Sequence, residues 1–262
     1  QLLHISISSE GLIDQRKGRL LWSPIIADTP VDIAEDLSAR FALPVAVYNE
    51  TALVAQAIWQ QRVKASNQEP IAGLVVLSLG HNIGLGIARA KDGHASEPEI
   101  IAPNFGHMLH VAGGAKCRCG ARGCVEAYSG FYAILRTAFE VPENTVPANF
   151  VPIAEVEKIA ALARSGDRHA SFAFRQAGLV IGNGLGRLFS LYGAMPVYIG
   201  GLGTRFFDLM NSGFKDGLQQ SSVARFGALE PIHLIADEAE LLAEGHRSLA
   251  LAICDGQLLN GD

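Results

Sequence analysis

Over residues 3–8 apolar and polar positions alternate, with Leu3, Ile5 and Ile7 set against His4, Ser6 and Ser8. A period of two predicts a strand. It is already in progress as the sequence opens, so the chain reads as a fragment trimmed at its N-terminal side. Gly11, Ile13 and Asp14 follow, then a turn around Lys17 and Gly18. Thr29 as N-cap and Pro30 as first helical residue predict a helix to about Phe41, presenting Ile33, Leu37 and Phe41 on one face. Pro44 opens a short strand over 45–48 that delivers Asn49 and Glu50, and a helix over about 51–64 comes next. The apolar run 72–79 has the length of a central strand. Residues 80–86 (Gly-His-Asn-Ile-Gly-Leu-Gly) form a glycine-punctuated turn, and 87–89 return as a hairpin. Residues 92–121 are expected to be irregular. Helices are expected over 125–139, 153–165, 169–192, 204–219 and 238–254, and strands over 197–199 and 232–235.

Composition narrows this pattern. The chain has 262 residues, 49% hydrophobic, with 28 Gly and 7% aromatics, which suits an α/β protein of one or two domains. A net charge of -5 excludes the basic face that nucleic-acid binding needs. No apolar run reaches membrane-spanning length and no signal peptide opens the sequence, so a cytoplasmic location with no membrane contact is expected. Of the four cysteines, three lie within residues 117–124; Cys254 falls in an apolar run and reads as a buried small residue.

His107, Cys117, Cys119 and Cys124 supply one imidazole and three thiols, the donor set of a closed tetrahedral zinc site that leaves no position for a reactive water. Gly113, Gly114, Gly120 and Gly123 allow the sharp bends such a loop needs. His110 is an alternative fourth ligand.

Gly106-His107, followed by Cys117-Arg118-Cys119-Gly120-Ala121-Arg122-Gly123-Cys124-Val125-Glu126, resembles the signature of the ROK family (repressors, open reading frames, kinases). Residues 5–14 resemble that family's strand before a Pro-Gly-Ile-Val-Asp turn, with Glu10 in place of Pro. Residues 45–50 resemble its Asn-Asp strand end, 77–86 its second phosphate loop, and Gly200-Gly201 its nucleoside-side glycine pair. An Asp-x-Gly-Gly-Thr phosphate loop is not found in the sequence. The resemblance implies an actin-like ATPase (ribonuclease H-like) α/β fold of two lobes with a hexose between them: 1–49 plus 237–262 as the smaller lobe and 50–236 as the larger. It also implies a homodimer. Family members are either sugar kinases or sugar-sensing repressors that bind DNA through a separate N-terminal domain.

The departures from that pattern fall on chemistry. The family's catalytic Asp is Glu50 here, which serves either as a displaced base or as a surface acid favouring the start of a helix. In the loop Gly80, His81, Asn82 and Gly84, two side chains add bulk where backbone N–H groups would approach phosphate. Asn104 replaces a sugar-binding Glu and retains hydrogen bonding without charge. Asn49, Glu50, Asn104, His107 and Glu126 are the candidate ligand-binding residues, with Glu126 alternatively a helix-start carboxylate. The knuckle is kept while the base, phosphate cradle and sugar clamp all change. The resulting expectation is the sugar-binding effector domain of a transcriptional regulator of the NagC/XylR type, with structural zinc, ATP unused, and DNA contacted only through a domain outside this sequence. An active ROK sugar kinase using Glu50, and a protein-interaction domain without a sugar, are the alternatives.

Overall fold

The computed structural model describes residues 2–26, 29–65, 72–91, 94–227 and 230–260, with backbone alone at 94–97 and 254–260. The side chain of Cys254 lies outside the described residues. Strand β1 (Ile5–Ser9) precedes a hairpin of β2 (Leu12–Asp14) and β3 (Arg19–Trp22). Its turn holds Gly18 at φ 60°. The expected helix start at Thr29 and Pro30 is displaced. Val31 and Leu20 exchange backbone hydrogen bonds of 2.9 Å, keeping the chain extended, so α1 (Ile33–Phe41) starts after Asp32, which pairs with Arg19 at 2.9 Å. Strand β4 (Val45–Asn49) runs parallel to β1, with Ile5 opposite Val45 and Ser9 opposite Asn49. Helix α2 (Glu50–Ala65) follows directly and is buried on all sides from Thr51 to Trp59.

Strands β5 (Gly73–Leu79), β6 (Ile83–Lys91) and β7 (His94–Ile101) come next. β7 corrects the expectation of an irregular stretch from residue 92: it pairs antiparallel with β6, Ile87 opposite Ile101. The helical region expected over 125–139 is two helices, α3 (Glu126–Ser129) and α4 (Phe131–Ala138), broken at Gly130, whose φ and ψ of -70° and 165° are extended. Then come α5 (Ile153–Arg164), α6 (Arg168–Tyr192), β8 (Val197–Gly200), α7 (Phe207–Leu218), α8 (Ser222–Phe226), β9 (Ile232–Leu234) and α9 (Glu238–Asn260). The five-stranded sheet has the order β7-β6-β5-β8-β9.

The chain forms two compact units, Gln1–Val76 with Gly86–Pro103 and Ala236–Asp262, and Leu77–Leu85 with Asn104–Ile235. The division differs from that expected at residues 49 and 237, because α2 and β7 group with the terminal segments. In the first unit α2 packs on α9, where Gln61 donates to Glu244 at 2.7 Å and Gly245 lies so close to the Leu53 carbonyl that a Cβ would collide with it. The polar face of β1 meets the same helix: His246 bonds Ser6 at 2.7 Å and Ser8 at 3.1 Å. In the second unit Phe174, Phe206, Phe214 and Ile134 form the centre of the core. Helices α6 and α7 approach main chain to main chain. A Cβ at Gly178 or Gly182 would strike the Met210 or Phe214 carbonyl, and one at Gly213 or Gly217 would strike that of Arg175 or Leu179.

Candidate functional site

A short loop gathers the four predicted ligands. The Gly123 carbonyl accepts from the N–H groups of His110 (2.7 Å) and Val111 (3.0 Å), while Cys117 N–H donates to the Ala121 carbonyl at 3.0 Å. Gly123 has φ 79°, and a Cβ there would collide with the Val111 carbonyl, so no other residue fits this bend. The ligand atoms of His107, Cys117, Cys119 and Cys124 all lie within 4.8 Å of one another. His107 Nδ1 is 3.4 Å from Cys117 Sγ, and Cys119 Sγ is 3.7 Å from Cys124 Sγ. Around zinc, bonds of about 2.0–2.3 Å at tetrahedral angles place neighbouring donors about 3.5–3.8 Å apart. The donor set and its spacing therefore fit that ion. Burial pushes the Cys124 thiol up, and so does the company of Cys117 and Cys119. Three thiols at such spacing do not ionise together unless a cation offsets their charge. His110 is not in the cluster; its ring packs edge-on against Tyr128 at 5.6 Å.

Glu126 opens α3 and is 1% exposed. One carboxylate oxygen pairs with Arg118 at 3.1 Å and the other accepts from Ile83 N–H at 3.3 Å. Burial pushes its carboxyl up, while Arg118 and the Ile83 N–H oppose that shift. The same Arg118 nitrogen also bonds the His81 carbonyl and Asn82 Oδ1, and the guanidinium lies 5.0 Å from the centre of the Tyr132 ring. His81 stacks on Phe150 at 4.8 Å and meets Phe131 edge-on at 5.1 Å. Burial, then Arg118, pushes its imidazole pKa down, favouring the neutral ring. The turn at Gly80 and Gly84 is thus fastened to the cysteine loop through the two residues that depart from the glycine-rich pattern. Gly200 ends β8, and Gly201 (φ 82°) lies against the backbone of Leu79, a packing reason for this glycine.

Asn104 is exposed and closes the turn over Phe105–His107 through its carbonyl, which accepts from His107 N–H at 3.2 Å. In the first unit, Asn49 is a structural cap. Its Oδ1 accepts from Thr51 N–H (3.0 Å) and Thr51 Oγ1 (2.7 Å), and its Nδ2 donates to the Gly11 carbonyl at 3.0 Å. Glu50 is half-buried, and burial, then Glu10 and Glu238, raises its pKa to about 6. The second unit thus brings together His107, the cysteines, Glu126 and the 80–84 turn, while Asn49 and Glu50 belong to the first. Sequence reasoning missed Arg118, Tyr132 and Phe150. The one available signal was that Arg118 sits between two cysteines and so must share their loop.

No helix among the described residues is long and apolar enough to cross a membrane. The ROK family profile matches residues 1–219. A glucokinase of Streptomyces coelicolor is 26% identical over 77% of this chain and 65% of its own length. A xylose repressor of Caldicellulosiruptor bescii is 24% identical over 97% of this chain and 63% of its own length. The chain therefore spans less than two thirds of these relatives. Among solved structures, a ROK family glucokinase from Streptomyces griseus in complex with glucose and AMPPNP superposes with a TM-score of 0.69 at 22% identity, covering 95% of this chain and 81% of that one. A ROK family transcriptional regulator, a homolog of the E. coli MLC protein, gives 0.68 at 20% identity over 94% and 64%. These likenesses establish the expected actin-like ATPase fold.

Proposed function

The chain belongs to the ROK family, and from that premise we propose that it is the effector-binding part of a ROK-type transcriptional regulator, without kinase activity, that recognises a sugar or sugar-like metabolite. The observation that carries this reading is the state of the 80–84 turn. In place of a bare backbone cradle, its Asn82 side chain and His81 carbonyl are occupied by Arg118. A phosphate-binding loop needs N–H groups free to face the anion, and here the Ile83 N–H is spent on Glu126 while Arg118 ties down the acceptors beside it. The cysteine loop beside it keeps its full ligand set. A binding domain needs that scaffold and does not need the cradle. In this reading His107, Cys117, Cys119 and Cys124 hold a structural zinc, and Glu126, His107 and Asn104 line the sugar site. ATP is not used, DNA is reached through a separate N-terminal domain, and the protein works as a cytoplasmic homodimer.

A second reading has its own support. Glu50, with its pKa raised to about 6, is better poised as a general base at neutral pH than an ordinary carboxylate, and glucokinases stand among the relatives. The deciding experiment is a coupled ATP-consumption assay on the complete protein with a panel of hexoses, pentoses and amino sugars, run beside calorimetric titration of the same sugars. Sugar binding without turnover is the expected result. Turnover on the order of one per second, abolished by Glu50→Gln, would establish a kinase instead. Neither binding nor turnover would leave the protein-interaction reading.

A further inference from the structure

Arg118 lies between Cys117 and Cys119, so its backbone is set by the turn that gathers the thiols. Its side chain is only 6% exposed. One terminal nitrogen reaches the His81 carbonyl, Asn82 Oδ1 and Glu126 Oε1, and the other donates to the Asn149 carbonyl at 3.2 Å. Glu126 is left with no face open to a solute, since Ile83 N–H holds its second oxygen. Hydroxyl groups that would bond this carboxylate meet a guanidinium in their place. Arg118 Nε, meanwhile, is buried without a partner among the described residues. A side chain serving as a permanent pillar would be expected to satisfy all its donors, because a buried unpaired N–H is costly. A resting state with one donor unsatisfied has something to gain by rearranging.

We propose that Arg118 is an intramolecular occupant of the Glu126 carboxylate, and that a ligand reaches Glu126 by displacing it. The inference rests on the sugar-binding reading of this site and makes Arg118 a positioning residue. When the guanidinium leaves Glu126 it also releases Asn82 and the His81 carbonyl, so the 80–84 turn is freed in the same event. Occupancy by Arg118 weakens apparent affinity by the fraction of molecules in which Glu126 is open. Removing the occupant restores that factor.

The test combines binding with footprinting. Wild type, Arg118→Met and Arg118→Lys are titrated calorimetrically with D-glucose and D-xylose. Reaction of Arg118 with phenylglyoxal is followed by mass spectrometry with and without sugar, using exposed Arg225 as the reference. Arg118→Met is expected to bind at least one sugar about 10-fold more tightly than wild type, and saturating sugar to speed modification of Arg118 but not of Arg225. Binding by Arg118→Met no tighter than wild type, with Arg118 protected at every sugar concentration, overturns the proposal. If no variant binds either sugar, the sugar reading fails by itself, and Glu126→Gln decides the occupancy. Faster modification of Arg118 in that variant supports it, and an unchanged rate overturns it. If Arg118→Met does not fold, the double variant Arg118→Met/Glu126→Gln removes the unpaired buried charge. Recovery of a cooperative melt supports the pairing, and persistent unfolding overturns it.

Discussion

Glu126 and Glu50 are both carboxylates withdrawn from water, one in each unit, and their surroundings treat them in opposite ways. Glu126 is answered by Arg118 and a backbone N–H. Glu50 faces its own kind, Glu10 and Glu238. The first arrangement stabilises an ionised group whose burial would otherwise be prohibitive. Around Glu50, burial first and then those two carboxylates push the pKa the same way, to about 6, leaving a group that gives up and takes a proton near neutrality. Burial pushes Glu126 up as well, but there Arg118 and the Ile83 N–H pull against it. The lesson is that burial alone does not make a carboxylate reactive. Burial raises both carboxyls, and the neighbours then either oppose that shift, as Arg118 does at Glu126, or add to it, as Glu10 and Glu238 do at Glu50.

Three measurements sharpen or break that contrast, the largest effect first. Zinc in the cysteine cluster would contribute on the order of 10 kcal/mol to the folded loop. Chelation, or Cys119→Ser, is expected to abolish amide-exchange protection over residues 104–126 while α2 in the other unit keeps its own. Protection indifferent to both treatments breaks the metal assignment. Next, Arg118→Met is expected to cost about 3–5 kcal/mol in denaturant unfolding, because it strands Glu126 without its cation. A loss below about 1 kcal/mol would place the pair with exposed, weakly coupled ion pairs. The smallest effect is at Glu50. A carboxylate whose folded pKa is raised contributes most stability below its ordinary value of 4.5, and that contribution is lost as pH rises through about 6. Glu50→Gln should therefore stabilise the protein at pH 8 by about 1 kcal/mol after allowance for its partial exposure. The gain should vanish by pH 4. The same gain at both pH values would show that the raised pKa, which comes from burial first and like-charge crowding second, is not the cause.

These sites differ in how readily the sequence disclosed them. The four candidate metal ligands, one histidine and three cysteines, were legible because they lie within 18 residues, and a loop that short with so many glycines has few ways to arrange them. The sequence favours His107 there over the rival His110, and the geometry agrees: His107 Nδ1 lies 3.4 Å from Cys117 Sγ, while His110 packs on Tyr128. β7 was hidden because Pro98 and two glutamates interrupt its pattern; the strand tolerates Pro because it lies at the edge of the sheet. The helix break at Gly130 was overlooked because the apolar spacing continues through it. The start of α1 was misplaced because Thr29-Pro30 is a good local helix signal, overridden by the pairing of Val31 with Leu20. Nothing local marks Arg118 as the partner of Glu126. That contact depends on how the loop closes.

The glycine contacts between α6 and α7 have a mechanical consequence. Where carbonyl groups rest directly against glycine hydrogens, no rotamer change in either helix can alter their spacing, so the pair behaves as one stiff beam. α6 has 25 residues, a length of about 37 Å at 1.5 Å per residue. Phe105, two residues before His107, presses its ring on Gly184 of that beam. The cysteine loop is thus braced, through Phe105, against a support in which neither helix can yield by repacking side chains at the glycine contacts.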